Sequence, residues 1–357
     1  MHRRHFLATA LAATALPRTG WAAAGGPAYL AAARAPSGAY RLHGLSADGT
    51  PVFALPLPAR GHAAAAHPTR AEAVAFARRP GTFALVIDCA AGSVRHRLTP
   101  PEGRQFNGHG AFSADGGVLF TSEVVAETSE GRIGLWDAAA GYVRAGEIPS
   151  HGIGPHDLRR LPGSDRLVVA NGGIRTDPAD RRKLNLDRMR PNLAYVAPDG
   201  SAEEIVELPP DLAQASIRHL ALGPDGLVAF AMQWEGDPAE TVPLLGLHRR
   251  GAAPRLCAAT DTEAGAMRGY AGSIALDPGR GLVALTSPPG GVVQVFGLAD
   301  GRLRATHHRL DASGIAAGPD GFLVTDGGGG LSLIDAEGLR PLGREDLGWD
   351  NHLVAIG

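Results

Sequence analysis

From about residue 28 onward, apolar and polar residues alternate in runs of five or six, and Gly, Pro, Asp and Asn separate the runs. Alternation with a period of two predicts strands, and turn residues between the runs predict tight connections. One phrase recurs along the chain. It begins with a polar or small residue, continues as a short apolar alternation, turns at Pro-Asp-Gly or a variant, and enters a strongly apolar strand. It reads His219-Leu220-Ala221-Leu222-Gly223-Pro224-Asp225-Gly226 before residues 227–230, and Ser273-Ile274-Ala275-Leu276-Asp277-Pro278 before residues 282–285. It returns as Gly314-Ile315-Ala316-Ala317-Gly318-Pro319-Asp320-Gly321 before residues 322–325, and earlier copies begin at His62, His109 and His156. Two further strands follow each copy, as where residues 133–137 turn through Ala138-Ala139-Ala140-Gly141 into residues 142–148. Four strands per unit, recurring at intervals mostly near the ~40–45 residues of a propeller blade, predict a β-propeller.

Counting blades leaves an informative remainder. Residues 28–33, 40–45 and 52–57 supply only three strands, and residues 351–356 repeat the opening phrase with nothing after it. Joined, the two ends make one more blade, and the expectation is an all-β, seven-bladed propeller closed by its C-terminal strand. Such closure removes the unpaired edges that an open sheet would present. A β-sandwich would not account for the orphan final strand. Blade four is lengthened by residues 174–192, a basic insertion carrying Arg175, Arg181, Arg182, Lys183, Arg188 and Arg190. An insertion of this kind falls on one face of a propeller and is either a functional lid or a solvated charged loop.

Composition then narrows the context. Lys and Arg number 34 against 36 Asp and Glu, so no global field draws the chain to nucleic acid or an anionic membrane. Residues 1–24 read as an export signal: Arg3-Arg4 precedes Phe6-Leu7, a short apolar stretch follows, and Ala22-Ala23-Ala24 supplies a small-residue cleavage site. The paired arginines point to the twin-arginine route, which exports folded proteins. The apolar stretch is too short to span about 30 Å of hydrocarbon as a helix. The expected mature unit is residues 25–357, periplasmic, without a transmembrane segment, and monomeric. Cys89 and Cys257 fall three blades apart in this register, so no disulfide is expected.

Aligning the opening phrase places His62, His109, His156, His219 and His352 in one column, with Ser273 and Gly314 in blades six and seven. First strands line a propeller's axis, so five imidazoles converge on one small volume. Neutral imidazole suits Fe, Cu, Zn or Ni, and three or four such ligands make a site. Asn107, Asp157, Arg218 and Asn351 flank the column, where Asp and Asn can orient a ligating His and Arg218 would favour an anionic group. His151 is a weaker candidate. A structural alternative exists for two members: Gly108-His109 with Trp136-Asp137 has the look of a WD40 repeat, in which the His bonds an Asp of its own blade, and Asp88 offers His62 the same partner.

Several phrases resemble the DUF1513 family: Phe106-Asn107-Gly108-His109-Gly110, Gly154-Pro155-His156-Asp157-Leu158, Val169-Ala170-Asn171-Gly172-Gly173-Ile174, Arg190-Pro191-Asn192-Leu193-Ala194-Tyr195, Ser216-Ile217-Arg218-His219-Leu220 and Asp350-Asn351-His352. The resemblance covers essentially the whole mature chain. It implies an exported bacterial propeller, often accompanying imelysin-type iron-associated proteins, and hence periplasmic iron-handling partners. Arg175 and Asp177 stand where the family pattern tends to have an acid and a histidine, a departure that weakens a ligand role for that loop. The leading expectation is a periplasmic protein binding a transition metal, iron or copper, through the histidine hub. The alternatives are a propeller enzyme, redox or lactonase-like, and an interaction scaffold whose histidines are structural.

Overall fold

Seven antiparallel four-stranded sheets account for almost all of the chain in the computed structural model, which describes residues 19–78 and 83–356. The sheets follow one another as blades, and the innermost strand of each packs against the innermost strands on either side, so the ring is closed. In blade one Gly348–Ala355 pairs with Tyr29–Arg34, which continues to Tyr40–Leu45 and Pro51–Leu57. The molecule is therefore a seven-bladed β-propeller, closed by its C-terminal strand as the orphan phrase predicts. That strand begins three residues earlier than the sequence indicates. Trp349 explains the difference: it is buried in the cluster between blades seven and one, and its indole donates to the Gly329 carbonyl at 3.2 Å.

Burial grades outward across each blade. The second strand of blade two, Glu72–Ala77, and the third of blade six, Val292–Gly297, are buried throughout, whereas the outermost Ser93–Leu98 and Gly338–Arg344 are largely exposed. Stacked blades cover both faces of the middle strands, so these read as continuous apolar runs rather than alternations. The outer strands carry Arg95, Arg97, Arg340 and Arg344, charges that keep exposed edges from pairing with another sheet. No single core results. Each of the seven blade interfaces has its own apolar cluster, as where Phe76 and Val86 of blade two meet Phe106, Leu119 and Trp136 of blade three.

Cys89 and Cys257 are buried, unpaired and in different clusters. The predicted signal lies outside the described residues up to position 18. Its last part forms a short 3-10 turn, Gly20–Ala24, where Trp21 donates to the His67 carbonyl at 2.9 Å. Among the described residues no helix is long and apolar enough to cross a membrane.

Candidate functional site at the propeller hub

The innermost strands are Gly61–Ala66, Arg104–Phe112, Pro155–Arg160, Ala215–Leu222, Ser273–Asp277 and Ala312–Gly318 in blades two to seven, with Gly348–Ala355 in blade one. Six of the seven depart from regular pairing at the same height. The register slips between Gly61 and Ala64, Phe106 and Gly110, Pro155 and Asp157, Ile217 and His219, and Ala312 and Ile315, and in blade one between the partners of Trp349 and Leu353. Only blade six pairs without a slip. A bulge leaves residues out of the ladder and re-aims their side chains, and here the slips fall on the histidine column.

The result is a compact imidazole cluster. The rings of His62, His352, His219 and His156 close a cycle with successive centroid separations of 4.6, 4.7, 4.7 and 5.5 Å. His109 caps it, 4.9 Å from His62, His156 and His352 and 5.8 Å from His219. Two triads share it: the ligating atoms of His62, His109 and His156, and those of His109, His219 and His352, lie within 4.8 Å of one another. Gly108 makes this approach feasible. It has φ +95°, and a Cβ there would sit 2.5 Å from the His62 ring. In blade seven Gly314 leaves no room for a side chain, since a Cβ would lie 2.6 Å from Thr325 Oγ1 and 2.9 Å from the Leu353 amide.

Each of the five imidazoles has a buried ring nitrogen without a hydrogen-bond partner: Nδ1 of His62, His156 and His219, and Nε2 of His109 and His352. A buried polar atom left unpaired is costly, and five in one cluster call for an explanation. Burial, followed by the neighbouring imidazoles, holds His62, His156 and His352 well below the usual histidine range. His219 is pushed down to about 3, mainly by burial and His109. These rings are neutral at physiological pH and present lone pairs, as metal ligation requires.

Asp157, the chain neighbour of His156, faces a histidine of another blade. Its Oδ1 lies 3.3 Å from His109 Nδ1, and its Oδ2 accepts from the Leu220 amide at 3.1 Å. Burial would raise its pKa, but Arg159 and then His109 outweigh burial and hold it low, so the group is a carboxylate. A carboxylate at Nδ1 fixes the tautomer that frees Nε2, the unpaired atom of His109. The within-blade partners suggested by WD40 repeats are engaged elsewhere. Asp88 accepts from the Ala90 and Ala91 amides and pairs with Arg95, and Asp137 accepts from the Ala140 amide. His151 sits apart, its Nε2 2.9 Å from the Gly200 carbonyl oxygen.

Directly over the cluster opens a polar cavity of about 210 Å³, onto which His62, His156 and His219 face. Asn107, Arg218 and Asn351 line it, and the insertion contributes Ile174, Thr176, Arg181 and Lys183. Arg175 and Asp177 point elsewhere: Arg175 donates to the Glu127 carbonyl, and Asp177 accepts from the Ala179 amide. Arg78, Gln233, Glu235 and Tyr270 complete the wall and escaped the column alignment. Three wall residues share one simple origin. In an antiparallel blade the end of the second strand lies beside the start of the first, so Arg78, Ile174 and Glu235, just beyond second strands, reach the same mouth. The opposite end of the axis is lined mostly by apolar residues, among them Leu220, Ile274, Ile315 and Leu353.

Comparison with curated proteins gives no match. Residues 55–356 match the family described as Protein of unknown function (DUF1513), a span that takes in the whole histidine column and both walls of the cavity, and the chain belongs to that family.

Proposed function

We propose that this chain is a transition-metal-binding propeller of the periplasm, exported folded through the twin-arginine route and serving iron or copper handling. One observation carries the reading: five imidazoles from five blades, four of them buried and that of His62 partly so, each hold a buried, unpartnered nitrogen in a single cluster, with His109 common to two triads and beside Asp157. A cation accepting several of these lone pairs would satisfy atoms that are otherwise unpaired. Tetrahedral sites with bonds of about 2.0–2.1 Å place ligand nitrogens roughly 3.4 Å apart, so the triads would close by modest ring rotations. An all-imidazole donor set without thiolate suits iron and copper alike. The signal expected in residues 1–24 and the iron-linked association that the family resemblance implies favour this compartment and kind of partner. The structural-histidine alternative is weakened because Asp88 and Asp137 are engaged elsewhere.

Metal analysis of the protein isolated from its native compartment, followed by titration of chelator-treated protein with Fe(II), Cu(II) and Zn(II), tests the reading. At least one of these metals should bind stoichiometrically, and His109→Gln, which touches both triads, should weaken binding by at least about tenfold with an unchanged circular dichroism spectrum. A protein that neither contains nor takes up any of the three has a structural hub.

A further inference from the structure

The cavity over the histidines has a character that metal ligation does not require. Among the described residues four cationic side chains face it, Arg78, Arg181, Lys183 and Arg218, against the single carboxylate of Glu235. Glu235 bonds Lys183, and its other oxygen is 3.6 Å from Arg218. Arg218 is almost fully buried, at 8 % exposure, and its Nε has no hydrogen-bond partner. A guanidinium so placed without a full complement of acceptors is unusual, since buried charges are normally paired on every side. The cations also crowd one another. Burial comes first in lowering the Arg181 pKa, and Arg78 and Arg60 add to it by like-charge repulsion. Tyr270 and Gln233 add neutral donors to the same wall. The chamber is smaller than the ~300 Å³ at which sites for drug-sized ligands begin.

We infer that this cavity is a binding site for a small, multiply charged oxyanion, such as a di- or tricarboxylate or phosphate, seated on Arg218 and directly against the hub histidines. Arg218 would grip one oxygen pair, while Arg78 and Arg181 at the rim would neutralise the remaining charge. The insertion of blade four, which brings Arg181 and Lys183 over the mouth, then becomes part of the site. The inference deepens the metal reading without depending on it. If a metal is held below, the anion would sit where it could supply further oxygen ligands.

Calorimetric titration of chelator-treated, metal-free protein with citrate, and separately with inorganic phosphate, is the test. At least one should bind, more weakly as salt is added, and the stronger of the two identifies carboxylate or phosphate as the preferred class. Arg218→Gln should lower affinity by about tenfold or more. The rim double variant Arg78→Ala with Arg181→Ala, which leaves the buried hub intact, should do the same and keeps the test valid if Arg218→Gln fails to fold. Absence of binding by either anion overturns the inference, as does binding that the folded rim variant leaves within about twofold. Because metal is absent throughout, this outcome is separate from that of the metal titrations.

Discussion

Blades one to five and blades six and seven build the same ring with different hubs. The first group brings a histidine to the axis on a bulged strand, whereas blade six offers Ser273 on a regular strand and blade seven offers Gly314. The ring closes equally well with either, and each interface keeps its own apolar cluster. The propeller therefore does not need the histidines. The frame stands on interblade packing and on pairing of the two ends, and the proposed metal chemistry would be mounted on it.

The strongest way to break that comparison is to attack the frame. Removing residues 348–357 should abolish cooperative folding, because Tyr29–Arg34 loses its inner neighbour and the ring opens; a sharp thermal transition in the truncated protein would show that closure is dispensable. Asp157→Asn tests the hub instead. It should lower metal affinity roughly 10- to 100-fold, as read by competition with a chromogenic chelator, while Asp137→Asn, at the turn of the same histidine's blade, should leave affinity unchanged. Gly314→Ala should cost about 1–3 kcal/mol in urea denaturation because its Cβ meets backbone as well as Thr325. Ser273→Ala, at the matching position of the regular blade, should stay within about 0.5 kcal/mol.

Acid sharpens the contrast more gently. The unfolded chain protonates its histidines near about pH 6.5, but the folded hub holds His62, His156, His219 and His352 neutral to lower pH, His219 to about 3. Below the unfolded value the unfolded state binds more protons, so stability falls as pH falls. The contribution is complete above about pH 6.5 and is lost progressively as pH falls below it, for His219 down to about pH 3, at up to about 1.4 kcal/mol per pH unit for a ring that stays neutral. Urea midpoints of metal-free protein at pH 7.5 and pH 5 should differ accordingly. Equal midpoints would mean that the hub admits protons as readily as water does.

Much of this arrangement is legible in the amino-acid order. The blade phrase, its seventh occurrence split between the two ends, and the histidine column all follow from periodicity and turn chemistry. The bulges do not, because slipping register by a residue leaves no mark on composition. For the same reason Asp157 reads as a neighbour of His156, although it meets His109 of the preceding blade. Arg78, Glu235 and Tyr270 were hidden by distance along the chain, since the mouth is assembled from strand ends and links. The contributions of Arg181 and Lys183 show that the basic insertion faces the hub, which charge alone could not distinguish from a solvated loop.

The terminal strand of blade one also sets a timetable. His62, His109 and His156 come from three consecutive blades, so one triad is complete when less than half of the chain has left the ribosome. The other triad waits for His352, which at about 5–20 residues per second arrives on the order of tens of seconds after His62. A cation captured early would meet a partial set of ligands with an open ring around it. The full set exists only once the ring has locked, so an occupied five-histidine hub would certify a finished molecule.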